Sequence, residues 1–418
     1  MTPKPAVEPE AAAATPSDAT APTAAWPVRR QLTFVTVAWM FGAIWFTVTT
    51  GAPLTLFAKG LGATHFQFGL LAAMPYVAAL LAVPGALVVE RFGQRKRLFL
   101  ACHYFQRGLW VLIATLPVLM LGLYGPAASP RAVWLVLSLV FVMYASGATG
   151  GPAWVSWMAD VVPPRIRGAY FARRRMWGFS TAVPACLAVG WGLDRLTGMA
   201  GGATVLGMPA VVFWCAALFL GVSVFGVIDI ALFQPIPHTP KPPRAAGGLL
   251  AGMVAPLKDR PFVALSGFVG AINFTVGFTN QFATLYVIER MGVDHVHAQV
   301  MLLVAPMLLS LALLPAWGAA VDKVGRKPLM ILSAAGLVPV GFGWCAMSGP
   351  SSAWLGYVLY AAGTALWTGI EVANFNAVLD ATGRGGARGG SGYHAANTVI
   401  INAAGCLGGL TAGAVAAA

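Results

Sequence analysis

Charge is what this sequence has least of. Asp, Glu, Lys and Arg make up 9% of its 418 residues, while 58% are hydrophobic. A water-soluble chain of ordinary composition carries about a quarter charged residues, so this one is solvated largely by lipid. Other absences narrow the function. No Gly-x-x-x-x-Gly-Lys-(Ser/Thr) run occurs, which excludes a built-in ATP motor of the P-loop kind. The five cysteines (Cys102, Cys186, Cys215, Cys345 and Cys406) show no paired metal-ligand spacing and lie in apolar runs as small buried residues. No cluster of His and Cys, and no nucleophile beside a base, stands out in those runs. Neither a metal, a cofactor nor an enzymatic activity is therefore expected. Residues 1–30 are Ala, Pro and Thr with scattered charges and lack the apolar core of a cleavable signal peptide. Such a segment cannot bury enough surface to order itself and reads as a disordered cytoplasmic tail.

What is present is a series of eleven apolar runs, at 31–57, 65–90, 98–122, 132–161, 170–196, 208–233, 261–289, 297–321, 328–348, 352–380 and 391–418. Each is long enough to cross a hydrocarbon layer of about 30 Å as a helix. The net charge of +13 raises the question of a nucleic-acid partner, and its placement answers it. With the N-terminus in the cytoplasm, Lys59, Arg131, Arg195 and Arg290 fall outside and Arg107 lies within a run. All the remaining Lys and Arg face the cytoplasm. This is the positive-inside asymmetry of a multi-pass protein, here of the cytoplasmic (inner) membrane, and no polynucleotide is implied. Residues 234–259, rich in Pro, Gly and basic residues, form the one long hydrophilic interruption. They divide the chain into an N-terminal six-helix bundle, 31–233, a cytoplasmic linker, and a C-terminal bundle of five helices, 260–418.

The second half replays the first. Gly318, Asp322, Lys323, Gly325, Arg326 and Lys327 form a basic turn between two apolar runs. Gly85, Glu90, Arg91, Gly93, Arg95 and Lys96 form an imperfect copy about 230 residues earlier. Leu285, Tyr286, Gly292 and Pro315 answer Leu56, Phe57, Gly62 and Pro84. Asp380 answers Asp160, and Arg388 and Tyr393 answer Arg167 and Tyr170 more loosely. In this register the chain stops within its eleventh span, without the counterpart of a twelfth.

On these residues the chain resembles the major facilitator superfamily. The second turn matches that family's motif A, Gly-x-x-x-Asp-basic-x-Gly-Arg-basic, position for position. The first departs from it, with Glu90 for Asp, Gln94 at a basic position and Gly85 one residue too far upstream. Asp160, Pro163, Arg167 and Gly168 resemble the family's motif between helices 4 and 5. The resemblance implies an all-α membrane protein of two helix bundles related by a pseudo-two-fold, rocking about a central site that opens alternately to each side. It also implies gating roles for Glu90, Arg91, Gly93, Arg95, Asp160, Arg167 and Gly168, and for Gly318, Asp322, Lys323, Gly325, Arg326 and Lys327. By that analogy Glu90 faces the start of helix 11. Asp322 faces the start of helix 5, where Arg173, Arg174 and Arg175 lie.

An ionisable group at membrane depth is costly, and so is a functional candidate. Glu371 lies well inside the tenth span and shares one helix face with Trp367 and Asn374. We expect it to face the central cavity and to take up and release a proton as the cavity changes sides. The competing reading is a Glu paired for helix packing. Arg107 is a candidate partner for it, but snorkelling to the cytoplasmic interface is the better expectation. Asp229, near the end of the sixth span, is expected to reach interfacial water. Asn273, Asn280 and Gln281 give the seventh span a polar face, Asn397 and Asn402 do so more weakly in the eleventh, and Trp45 adds an aromatic to the first. Amides beside aromatics suit a neutral or zwitterionic hydroxyl-bearing solute, and equally they glue membrane helices together. His295 and His297 stand in an outer loop, too far from any expected ligand partner to form a metal site.

The expected function is a monomeric secondary active transporter that moves a small organic solute, with protons coupled through Glu371. The alternative is a transporter-like membrane sensor or assembly factor without transport activity, and solute uptake by reconstituted vesicles separates the two. The orientation has its own test. The eleventh span should carry the C-terminus to the outer side, so a fused reporter that matures only in the cytoplasm should stay silent. An active reporter would reverse the topology.

Overall fold

A backbone crossing hydrocarbon finds no water for its N–H and C=O groups and closes its hydrogen bonds within helices. The computed structural model describes residues 27–163, 166–199, 204–237, 254–347, 349–384 and 386–417. Outside that description lie the side chains of Glu90, Ala172, Ala255, Asn280, Gln281, Asp322 and Pro350, and of residues 167–169, 196–199, 379–384 and 386–392. The first half comprises α1 (Val28–Thr50), α2 (Ala52–Gly60), α3 (His65–Ala79), α4 (Ala82–Phe92), α5 (Arg95–Tyr124), α6 (Ser129–Val161), α7 (Arg167–Met199) and α8 (Ala210–Ala231). A two-residue hairpin, β1 (Thr204–Val205) with β2 (Met208–Pro209), links α7 to α8. The second half comprises α9 (Arg260–Leu285), α10 (His295–Gln299), α11 (Ala305–Val324), α12 (Arg326–Cys345), α13 (Ala353–Arg384) and α14 (Gly386–Ala417). Ten stretches are long and apolar enough to cross a membrane, and α13, with 32 residues, has the length of an eleventh.

Two of the apolar runs are not single rods. The first bends at Gly51, an extended residue between α1 and α2, with Pro53 in the first turn of the new helix. The second is interrupted at Leu80 and Leu81. There Pro84, lacking an N–H, cannot take up the Leu80 carbonyl in the α-helical manner, and Val83 N–H bonds it instead at 3.2 Å. The eighth run is continuous from α10 into α11 through a π turn, Val300–Val304.

We call the side on which α1 begins the near face, and the side on which α2 ends the far face. The two halves repeat one packing plan. α1 lies on α7, α5 on α6, and α3 and α4 on α6; correspondingly α9 lies on α14, α12 on α13, and α11 on α13. The far-face turns match in detail. Gly62 and Gly292 both take positive φ, at 85° and 63°, a region open to glycine at little cost. Two residues later Thr64 and Asp294 cap the following helices, accepting from Gln67 N–H and His297 N–H.

The halves meet on the far face. α3 packs on α14 through glycine. A Cβ at Gly413 would lie 2.8 Å from the Gly69 Cα, and one at Gly409 would lie 2.8 Å from the Ala73 nitrogen. The first turn of α10 seats against the far end of α7. On the near side α4 packs against α6, within its own half, and makes no comparable approach to the second half. Among the described residues the contacts between the halves gather on the far face.

The first half is held by a feature that corrects two expectations. Arg107 does not snorkel and Asp229 does not reach interfacial water. Their side chains are 8% and 7% exposed, and Arg107 Nη2 donates to Asp229 Oδ2 at 2.8 Å. Nor is Arg107 a partner for Glu371. Its Nη1 donates to Gln106 Oε1 at 2.9 Å, and its guanidinium lies 3.4 Å from the centre of the Trp45 ring. The sequence makes room for this on both flanks. A Cβ at Gly42 would strike the Asp229 carboxylate, and one at Gly226 would strike Arg107 and Trp45. Trp45 in turn stands edge-on to Trp110, which packs on Phe219 at 4.9 Å, so the pair sits beside the aromatic core. Inside the second half, uncharged groups make the comparable joints between helices. Ser266 Oγ donates to Asn397 Oδ1 at 2.9 Å between α9 and α14, and Ser310 and Thr368 share a bond of 3.1 Å between α11 and α13.

Removing one member of a buried ion pair leaves the other charge stranded, at a cost of about 3–5 kcal/mol, whereas replacing both by apolar groups is often neutral. Asp229→Ala should therefore lower the thermal unfolding temperature of the detergent-purified protein sharply. Arg107→Met combined with Asp229→Leu should recover most of the loss.

Candidate functional site

The carboxyl on the tenth apolar run is the ionisable group from which the candidate site is built. Glu371 is carried by α13 and is exposed. Trp367 stands one turn before it on α13, and Arg175 of α7, in the other half, lies within its electrostatic reach. Arg175 is itself exposed, with its guanidinium 5.5 Å from the centre of the Phe179 ring. Three and four residues apart, Trp367, Glu371 and Asn374 share one face of α13. Asn374 Oδ1 is buried with no donor among the described residues. One helix face thus carries an ionisable carboxyl, an indole and an amide acceptor, with a guanidinium of the other half within electrostatic reach.

The other polar residues picked out by sequence go elsewhere. Asn273 Nδ2 donates to the Val269 carbonyl at 3.0 Å, and Asn402 Nδ2 to the Thr398 carbonyl at 2.8 Å, each one turn back on its own helix. Asn397 is taken by Ser266, and Trp45 by Arg107. Asn280 and Gln281 have side chains outside the described residues.

Of the near-face turn residues, two from the first half are brought together. Arg95, 2% exposed, donates to the Asp160 carboxylate at 2.5 Å and to the Ser156 carbonyl at 2.8 Å. The second half repeats the backbone contact, with Arg326 donating to the Asn376 carbonyl at 3.4 Å. Gly93 and Gly325 hold positive φ at the two turns, and Arg91, Lys323 and Lys327 are exposed. A Cβ at Gly318 would meet no atom within 4 Å. The side chains of Glu90, Arg167, Gly168, Asp322 and Asp380 lie outside the described residues. Arg174, expected near Asp322, stacks within its own half, 4.7 Å from the Trp39 ring and 5.1 Å from the Trp154 ring. Beside it a hollow of about 720 Å³ opens between α1 and α7, lined among others by Arg29, Thr36, Tyr170, Arg173 and Trp177.

The far-face histidines are not the isolated loop residues expected. His295 and His297 each bond a carboxylate through Nδ1, at 2.6 Å to Asp194 and 2.7 Å to Asp294. Burial works to raise the Asp294 carboxyl, but bonds from His297 and the charges of His297 and His295 outweigh it and hold the group below its ordinary range. A second bridge between the halves joins Lys59 Nζ to Glu289 at 2.7 Å. Sequence reasoning missed the Asp194–His295, Lys59–Glu289 and Arg107–Asp229 pairs, because no local spacing links their members. Asp294 and His297 are three residues apart, and their pairing could have been read. No group of three His, Cys, Asp or Glu among the described residues could hold a metal ion.

Comparison with known proteins bears on this arrangement. No curated protein matches the sequence. The nucleoside transporter NupG superposes with a TM-score of 0.62 at 16% identity, over 93% of this chain and 90% of that one. A bacterial homologue of the human lysosomal transporter Spinster, in an inward-facing and unoccupied conformation, gives 0.63 at 15% identity, over 92% and 82%. A bacterial homologue of the human drug peptide transporters PepT1 and PepT2 gives 0.62 at 13%, over 92% and 89%. These likenesses establish the fold, while the sequence itself matches the family model of the Major Facilitator Superfamily over residues 34–413. With nearly the whole described chain inside that match, the protein is a member of the major facilitator superfamily.

Proposed function

We propose that the protein is a secondary active transporter, not an enzyme, which moves a small organic solute through a cavity between its halves by alternating access. The observation that carries this reading is Glu371. It is an ionisable group at membrane depth, exposed on α13, one turn after Trp367 and under the influence of Arg175 from the opposite half. A carboxyl in such a place binds a proton when the site is dry and releases it when water or a cation arrives. A cavity that is wet on one side and dry on the other couples that exchange to the rocking of the halves. Trp367 shields the carboxyl, and the free acceptor of Asn374 is available to a solute hydroxyl or amine.

The remaining parts fit the same cycle. The halves are 31–233 and 260–418, joined by 234–259, and the near face is cytoplasmic by the placement of Lys and Arg. The protein works as a monomer in the cytoplasmic membrane. The contact of the halves on the far face fits the inward-open state of that cycle. When the near face closes, Asp322 of the full motif A turn reaches the start of α7, where a carboxylate is favoured by the helix dipole at about 0.3–1 kcal/mol. The nucleoside, Spinster-like and peptide transporters of like fold support a small organic solute as cargo.

Glu371→Gln keeps size and hydrogen bonding and removes the titration. In reconstituted vesicles it should abolish accumulation driven by a proton gradient and leave solute exchange largely intact. Normal accumulation by the variant would end the coupling role, and a wild type without uptake of any solute would favour a sensor or assembly factor. Asp322→Asn should enlarge the inward-open population, measured as labelling of near-face positions; an unchanged population removes Asp322 from the gate.

A further inference from the structure

α7 and α10 belong to different halves, yet the first turn of α10 is capped from α7. Asp194 Oδ1 accepts the His295 N–H at 2.7 Å and the His295 Nδ1 at 2.6 Å, and Oδ2 accepts the Val296 N–H at 3.0 Å. The first N–H groups of a helix have no partner within it, and a carboxylate there is favoured both by hydrogen bonding and by the helix dipole. The local cap residue, Asp294, takes only the third, the His297 N–H at 2.7 Å. The first two are left to the other half. One turn before Asp194, Gly190 lets the helices come together. A Cβ there would lie 2.8 Å from the Val296 Cα and 3.2 Å from the His295 carbonyl oxygen.

We infer that Asp194 is the far-face latch, the residue whose three bonds across the seam set the equilibrium between the far-closed and far-open states. This rests on the reading that the halves rock. Parting them strands two N–H groups and a carboxylate at once. Because α10 runs through the π turn Val300–Val304 into α11, a pull on its first turn acts on the whole eighth span. The other charged groups of this face play lesser parts. Lys59 and Glu289 bridge the same halves, but with side chains 49% and 38% exposed, a setting in which ion pairs contribute little. Arg195 turns to the Trp191 ring at 5.3 Å, and Asp294 is occupied by His297. Arg290 is exposed.

Hydrogen exchange on the intact protein in nanodiscs tests this without a known solute. The readout is exchange at two places: the first turn of α10, which Asp194 touches, and α3 (residues 65–79), which it does not. Asp194→Ala should raise exchange at both, by about fivefold, the ratio expected for loss of a helix-capping carboxylate. Lys59→Gln should change neither appreciably. Faster exchange confined to residues 295–299 would make Asp194 a local cap and overturn the latch. Should the alanine variant fail to fold, His295→Gln removes one of the three bonds and should move both regions in the same direction by less. No change at α3 in vesicles where the wild type still takes up solute refutes the latch alone. A wild type that takes up no solute counts against the transport reading, while the exchange at α3 still decides the latch.

Discussion

The exclusion of water from the middle of the molecule governs the rest. Inside that layer the backbone closes on itself as helix, and a polar side chain either finds a partner or faces a cavity. In so apolar a chain the few charges at depth are conspicuous, and the structure divides them. Arg107 and Asp229 are sealed together beneath Trp45 and hold the first half as one body. Glu371 is left exposed on α13, with Arg175 of the other half within electrostatic reach. The difference in surroundings separates a charge that fastens from one that can work.

The internal repeat is kept in backbone and altered in side chains. Gly62 and Gly292 turn alike, and Arg95 and Arg326 both donate to a carbonyl of the helix that follows in the bundle. At the turn caps, however, Thr64 forms a closed exchange with Gln67 inside its own half, whereas α10 borrows Asp194 from the opposite one. The first half carries its charges inward as a pair, and the second is fastened by Ser266, Asn397, Ser310 and Thr368. A helix plan inherited twice has been given one half locked by a buried ion pair and another fastened at depth by hydroxyl and amide groups.

How much of this could be read from the chain follows from the range of each signal. Apolar run length and the motif A residues are local, and they placed the spans, the repeat and the family. The bend at Gly51 and the interruption at Leu80 were not foreseen, since a single helix-breaking residue within a long apolar run is outweighed by the run. Pairs brought together by packing were out of reach. Arg107 and Asp229 sit on different spans, and so do Asp194 and His295. Arg107 looked free to snorkel because sequence spacing cannot tell that Gly42 and Gly226 leave a chamber for it. The amides of Asn273 and Asn402 looked available, but an amide can also satisfy itself one turn back, which composition does not reveal.

The glycine seam between α3 and α14 has a consequence for the kinetics of opening. Where Gly69, Gly409 and Gly413 bring main chain against main chain, there are no side chains to stretch, swing or fill a widening gap. Close-packed surfaces of this kind are bistable rather than continuously deformable. Contact at these glycines is therefore made as a whole or lost as a whole, with no side chain able to keep it half made.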